Sequence, residues 1–199
     1  MKNMVLSLGL ITIAASLILG SVYAITADKI AKAEVKAQVD AIKEVAPDFD
    51  NNPLEEKYVY ISEPDKKTGA DIIVYPAKNG GKLVGAAVKS FSMDGFSGEI
   101  TVMYGFDAEG KINDYKVLKH AETAGLGSKM QEWFRMKNGD RCILGLNPVT
   151  HKMRVKKDGG NVDAITAATI SSRAFLDALD KAYKAYMEFK ENEEGICYE

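Results

Sequence analysis

The chain has 199 residues, of which 46% are hydrophobic and 27% charged, and its net charge is -2. That length supports one domain with appendages, and the charge balance excludes the basic face of a nucleic-acid binder. Two cysteines, Cys142 and Cys197, lie far apart without CxxC spacing, and the two histidines, His120 and His151, lack a neighbouring ligand pair, so no metal site of the protein's own is expected.

Residues 5–25 form an uncharged apolar stretch of about twenty residues, enough to cross roughly 30 Å of hydrocarbon at about 1.5 Å per residue. It is expected to span a membrane as a retained anchor; the competing reading is a signal peptide cleaved after Val22-Tyr23-Ala24. Lys2 before the stretch and Asp28 after it favour a cytoplasmic N-terminus, with everything after Ile25 outside the cytoplasm. Residues 26–46 carry Ala31, Val35, Val39, Ile42 and Ala46 at steps of three and four, which predicts a helix running on from the span as a charged stalk. Pro47 and the turn formers Asp48-Phe49-Asp50-Asn51-Asn52-Pro53 stop it.

From Tyr58 the period shortens to that of strands, at 58–61, 72–75 before Pro76, 83–91 after the Asn79-Gly80-Gly81 turn, 99–106 and 112–118. An antiparallel meander is predicted. Gly95-Phe96-Ser97-Gly98 turns between two of these strands, and His120-Ala121-Glu122-Thr123-Ala124-Gly125-Leu126-Gly127 follows the last. His120 beside Glu122 has the makings of acid–base work, but no nucleophile or metal constellation accompanies it. Residues 129–134 read as a short helix with Trp133 and Phe134 in the core. Residues 149–157 read as a final strand or extended segment carrying His151 and Arg154, and Asp158-Gly159-Gly160-Asn161 as a turn.

The run Asp163-Ala164-Ile165-Thr166-Ala167-Ala168-Thr169-Ile170-Ser171-Ser172 opens the last long helix, in which Phe175, Leu176, Leu179, Ala182, Tyr183 and Tyr186 share one face. A helix N-terminus has N–H groups without internal partners and partial positive charge, which suits a phosphate. The plain alternative is that one of Thr166, Thr169, Ser171 or Ser172 merely caps the helix, although the cluster is larger than one cap requires. The last residues read as a polar tail, and a Cys142 to Cys197 disulfide is permitted outside the cytoplasm without being required.

Three of these runs resemble a known family. Thr166-Ala167-Ala168-Thr169-Ile170-Ser171 behind Asp163 is similar to a flavin attachment motif, Asp followed by Ser/Thr-Gly-Ala-Thr-x-Ser/Thr. That motif belongs to the FMN-binding domain shared by the G subunit of the Rnf ion-translocating oxidoreductase and the C subunit of the sodium-translocating NADH:quinone oxidoreductase. The run from His120 to Gly127 resembles the family's His-x-Glu-Thr-Pro-Gly-Leu-Gly loop with Ala124 in place of Pro, and Gly95-Phe96-Ser97-Gly98 its Gly-Tyr-x-Gly loop with Phe96 in place of Tyr. Anchor, stalk, turn, loop and attachment motif occur in the family's order, and the compact length suits the Rnf G subunit better than its longer sibling.

The resemblance implies an α+β protein with a transmembrane anchor at 1–25 and a helical stalk at 26–52. An extracytoplasmic FMN-binding domain of antiparallel sheet and flanking helices follows at 53–190, then a tail at 191–199. It implies covalent FMN, esterified through its phosphate to Thr169 by a separate flavin transferase that consumes FAD. Asp163, Thr166, Ala168 and Ser171 from the motif, His120, Glu122, Thr123, Gly125, Leu126 and Gly127 from the loop, and Phe96 from the turn are the implied cofactor-binding residues. Gly125 and Gly127 would let N–H groups approach the flavin, Glu122 and Thr123 would bond its edge, and Leu126 would cover a face. Asp163 would orient the acceptor hydroxyl or a metal of the transferase. Ala167 stands where the family usually has Gly, and is accommodated if its φ is negative.

The implied setting is the bacterial cytoplasmic (inner) membrane, crossed once, with lipid, the transferase and the other Rnf subunits as partners. The implied role is electron transport between reduced ferredoxin and NAD, coupled to sodium ion or proton movement, without catalytic residues of the chain's own. Two alternatives stand beside it: a C-subunit-like component of the quinone reductase, and a membrane-tethered binding module without cofactor in which Thr169 is only a cap.

Overall fold

The computed structural model describes residues 2–60 and 71–196, so Ile61 of the first predicted strand, Cys197 with the pairing to Cys142 that the sequence permits but does not require, and the end of the tail lie outside the described residues. The chain divides into two compact units, residues 1–39 and 40–199. Helix α1 (Lys2–Val45) begins in the first, where its residues 5–25 are apolar on every side, with Leu10, Ile11, Leu17 and Ile18 all exposed. It is the one helix among the described residues that is long and apolar enough to cross a membrane, with a mean hydropathy of 2.3 in its most apolar window. Three hydroxyls in and beside the apolar stretch bond back into the helix: Thr12 Oγ1 donates to Leu8 O at 3.1 Å, Ser21 Oγ to Leu17 O at 2.7 Å and Thr26 Oγ1 to Val22 O at 2.8 Å. Hydroxyls satisfied in this way are compatible with hydrocarbon. As the spacing predicts, α1 runs from the apolar stretch into the charged stalk without a break, and it stops before Pro47.

The second unit is an antiparallel five-stranded meander in the order β1 (Tyr58–Tyr60), β2 (Ile72–Asn79), β3 (Lys82–Gly95), β4 (Gly98–Asp107), β5 (Ile112–Lys119). Alternation along each strand sends side chains to two different covers. Val88, Val102, Tyr104 and Phe106 face helix α3 (Thr169–Ile196), whose Phe175, Leu176, Leu179, Ala182, Tyr183 and Tyr186 are buried. Tyr75, Ala77, Ala87 and Met103 face the opposite way and pack on Ala41, Ile42, Val45 and Ala46. The last turn of α1, which the sequence reading assigns to the stalk, therefore belongs to the folded domain. Asn113 Nδ2 donates to Val45 O at 2.7 Å, closing one of the carbonyls that a helix C-terminus leaves open.

Phe175 is the hub of the α3 side. Its ring centroid lies 4.4 Å from Phe134, 4.9 Å from Tyr115 and 5.5 Å from Tyr104, and Tyr104 Oη donates to Phe175 O at 2.7 Å. Trp133 and Phe134, at the end of the short helix α2 (Met130–Trp133), are buried as the sequence predicts.

Three local expectations are corrected. Strand β2 does not end before Pro76 but runs through it to Asn79. Pro76 pairs with Ala86 on one side, while β1 reaches only Val74 on the other, so the missing N–H falls where no neighbouring strand needs it. Residues 149–157 form no strand: Asn147 O takes the N–H groups of Thr150 and His151, Asn147 Oδ1 takes that of Val149, and a single turn of 3-10 helix follows at Lys156–Asp158. One parallel bridge, Val155 to Val162, is all the pairing the segment has. Helix α3 extends to Ile196, into the stretch read as tail.

Phe175→Ala is expected to lower the unfolding free energy of the detergent-solubilised chain by about 3–5 kcal/mol in a denaturant titration, and a loss below about 1 kcal/mol would contradict the hub.

Candidate functional site

Three segments enclose a cleft of about 330 Å³: the β3–β4 turn with Phe96, the loop after β5 with Glu122, Thr123, Leu126 and Gly127, and the start of α3 with Ala167, Ala168, Thr169, Ile170 and Ser171. The sequence motifs point to every one of these lining residues except Ile170 and Ala167, the latter marked only as a departure from the family's Gly. Ile170 carries a signal of its own, since it is apolar yet out of phase with the buried face of α3.

The cleft has a polar wall and an apolar rim. Glu122 is only 7% exposed; its Oε1 accepts the Ser97 N–H at 2.9 Å and its Oε2 accepts the Ser171 hydroxyl. Both carboxylate oxygens thus hold protein donors already. A Cβ on Gly127 would lie 2.7 Å from Glu122 Oε2 and 2.6 Å from Ser171 Oγ, so the loop has room there for glycine alone. At the rim, Phe96, Leu126 and Ile170 are 67%, 41% and 47% exposed. Three large apolar side chains from three segments around one opening suit a flat apolar ligand.

The hydroxyls of the α3 run have separate fates. Ser172 Oγ donates to Ala168 O at 3.0 Å and accepts the Ile165 N–H at 2.9 Å, so it is the residue that stitches the turn before the helix to the helix itself. Ser171 is tied to Glu122, and Thr166 is exposed away from the cleft lining. Thr169 is half-buried in the lining and has no hydrogen-bond partner among the described residues. It is also the first residue of α3, where the N–H groups lack helical acceptors.

Four residues implied as cofactor contacts sit behind this surface. His120 Nδ1 accepts the Glu122 N–H at 3.2 Å, and its Nε2 faces Gln131 Nε2 at 3.1 Å. With Nδ1 an acceptor, the proton of the neutral ring is on Nε2, beside the Gln131 side-chain amide. Such a histidine braces the loop. Gly125 donates its N–H to Ser128 Oγ at 2.9 Å, inside the turn that Leu126 N–H and Ser128 N–H close on Thr123 O. Asp163 points away: its Oδ1 pairs with Lys156 Nζ at 2.8 Å, its Oδ2 accepts the Asp140 N–H, and its carbonyl accepts Trp133 Nε1–H at 2.9 Å. Lys156 and the Asp140 N–H hold the Asp163 carboxyl below its ordinary value, so the tie persists at neutral pH and is lost only as pH falls through the lowered value. Thr166 is the fourth.

Residues 95–184 match the FMN-binding domain family, a stretch that takes in all three cleft segments. The chain is similar along most of its length to G subunits of ion-translocating oxidoreductase complexes. That of Aliivibrio fischeri is 32% identical over 196 residues, covering 94% of this chain and 92% of its own. That of Vibrio cholerae is 33% identical over 167 residues, covering 80% and 78%. That of Haemophilus influenzae is 33% identical over 179 residues, covering 85% and 82%.

Ala167 does not meet the condition of negative φ. Its φ is +61°, and it is the one non-glycine residue with positive φ among the described residues. The cause is the turn closed by Ala168 N–H to Ile165 O at 3.0 Å, which puts residue 167 at the position where glycine is usual. A methyl group there costs on the order of 1 kcal/mol against the following carbonyl. Ala167→Gly is therefore expected to raise stability by about 1 kcal/mol in a urea titration, and an unchanged or lower midpoint would contradict the left-handed turn.

Proposed function

Because the chain belongs to the family of G subunits of ion-translocating oxidoreductase complexes, we propose that it holds FMN through a phosphoester to Thr169 and serves as an electron carrier in a complex of the Rnf type. One observation carries this reading: a threonine hydroxyl without a partner among the described residues, in a cleft, at the first residue of a helix 28 residues long.

The residues present fit the cofactor. The open N–H groups and positive end of α3 favour a phosphate ester at its first turn. Phe96, Leu126 and Ile170, exposed around the opening, supply the apolar cover that the flavin ring needs. FMN, when bound, takes up electrons singly or in pairs and so links carriers of different types. The chain's task is to fix that group in place and keep water from one face of it.

In the attachment step, the Thr169 O–H bond breaks and its oxygen bonds to the flavin-side phosphorus of FAD. The pyrophosphate bond breaks in the same exchange, AMP leaves, and a flavin transferase takes the proton. Asp163 supports this step from behind, by anchoring the segment before α3 to Lys156, Asp140 and Trp133.

The anchor in this reading is the segment 1–25, retained in the cytoplasmic membrane with Lys2 on the cytoplasmic side and the FMN domain outside. Electrons then pass between ferredoxin and NAD through the assembled complex, coupled to ion movement. The names of the relatives favour the G subunit over the C subunit of the quinone reductase.

Denaturing gels of protein made with its transferase should show ultraviolet fluorescence in the wild-type band and none for Thr169→Val; a fluorescent valine variant would rule out Thr169. Asp163→Ala should lose more fluorescence than Asp177→Ala, and equal bands would remove Asp163 from the site.

A further inference from the structure

Four hydroxyls lie between residues 166 and 172, and the cleft presents one of them, that of Thr169, without a partner among the described residues. Ser172 is withdrawn by local bonds to Ile165 and Ala168. Ser171 is withdrawn by a residue 49 positions earlier in the chain, Glu122.

Glu122 is well placed for such a role. It is buried and makes no ion pair among the described residues, and each oxygen takes a donor from a different segment: Ser97 N–H from the β3–β4 turn, Ser171 Oγ–H from α3. The third segment is its own loop, held by the Glu122 N–H on His120 Nδ1. The surroundings leave it one position. A Cβ on Gly95 would come 2.8 Å from Oε1, and one on Gly127 would come 2.8 Å from the Glu122 Cβ. A carboxylate buried in this way is balanced by its two donors and by the positive end of α3.

Resting on the Thr169 reading, we propose that Glu122 is the positioning residue for flavin attachment: it clamps the start of α3 to the turn and the loop, so that Thr169 alone in the run faces the cleft as a free acceptor. The role is one of hydrogen bonding. Gln at this position would keep both links, its carbonyl oxygen accepting Ser97 N–H and its amide donating to Ser171 Oγ. Ala would keep neither. A carboxylate acting as the base of the transfer would give the opposite pattern, since Gln cannot take a proton.

The test uses full-length chain in detergent with flavin transferase and FAD, following the labelling rate by intact mass and the modified residue by peptide fragmentation. Amide hydrogen exchange at the start of α3 is measured on the same unlabelled variants. Wild type and Glu122→Gln should label at Thr169 at similar rates, while Glu122→Ala should label at least about tenfold more slowly, as expected for a misplaced acceptor. Ser171→Ala, which cuts one arm of the clamp and leaves the core intact, should label several-fold more slowly and exchange faster at the start of α3.

A folded Glu122→Gln that fails to label would overturn the proposal in favour of a charged role. Glu122→Ala or Ser171→Ala labelling at the wild-type rate would overturn it outright. If Glu122→Ala does not fold, the Gln and Ser171 variants decide. A wild-type chain that takes no label counts against the Thr169 reading instead. The clamp is then judged by exchange alone: unaltered exchange in Ser171→Ala contradicts it, and faster exchange there, with Glu122→Gln unchanged, upholds it.

Discussion

The placement of everything in the folded domain depends on how α3 lies on the sheet, and that is decided by one aromatic ring. Phe175 is fully buried between Tyr104 and Tyr115 from adjacent strands β4 and β5 and Phe134 from the end of α2. It lies six residues after Thr169, so at about 1.5 Å per residue the helix start is held about 9 Å from a point that cannot move. Removing that ring would leave a void that the neighbouring rings, themselves hydrogen-bonded through Tyr104 and Tyr115 to backbone carbonyls, are poorly able to fill.

A helix fixed at one point along its length can still tilt at its end. The cleft solves this with polar ties instead of packing. Glu122 gathers the β3–β4 turn and Ser171, Ser172 gathers Ile165 and Ala168, and Asp163 gathers Lys156, Asp140 and Trp133. Each tie uses one hydroxyl or carboxylate of the run that the sequence marks as chemical; with Thr166 exposed outside the lining, the hydroxyl left over in the cleft is that of Thr169. The left-handed Ala167 belongs to the same economy: the turn is kept in the shape that glycine would take, at the expense of local strain.

How much of this can be seen in the sequence differs by element. The buried face of α3 and the alternation of β3 and β4 are legible because one-sided burial imposes a period, 3.6 for the helix and 2 for the strands. Residues 149–157 mislead because Val149, Met153 and Val155 alternate with polar residues, yet the preceding Asn147 captures the backbone N–H groups before any strand can. Pro76 misleads in the other direction, since its tolerance depends on where β1 ends, which no local pattern records. In the site, residue types point correctly to a loop, a turn and a helix start that meet. They do not say that Glu122 faces Ser171 inside the protein, or that His120 and Asp163 brace the walls from outside, because those facts depend on side-chain direction across long separations.

The proposed function rests on a covalent bond at one oxygen, that of Thr169. Protein purified from its native membrane, digested with trypsin and fragmented in the mass spectrometer, tests it most directly. The peptide spanning residues 158–173 should carry the added mass of one FMN phosphoryl group, and the fragment ions should assign it to Thr169. An unmodified peptide, or the same mass on Thr166, Ser171 or Ser172, would contradict the assignment of the free hydroxyl as the point of attachment.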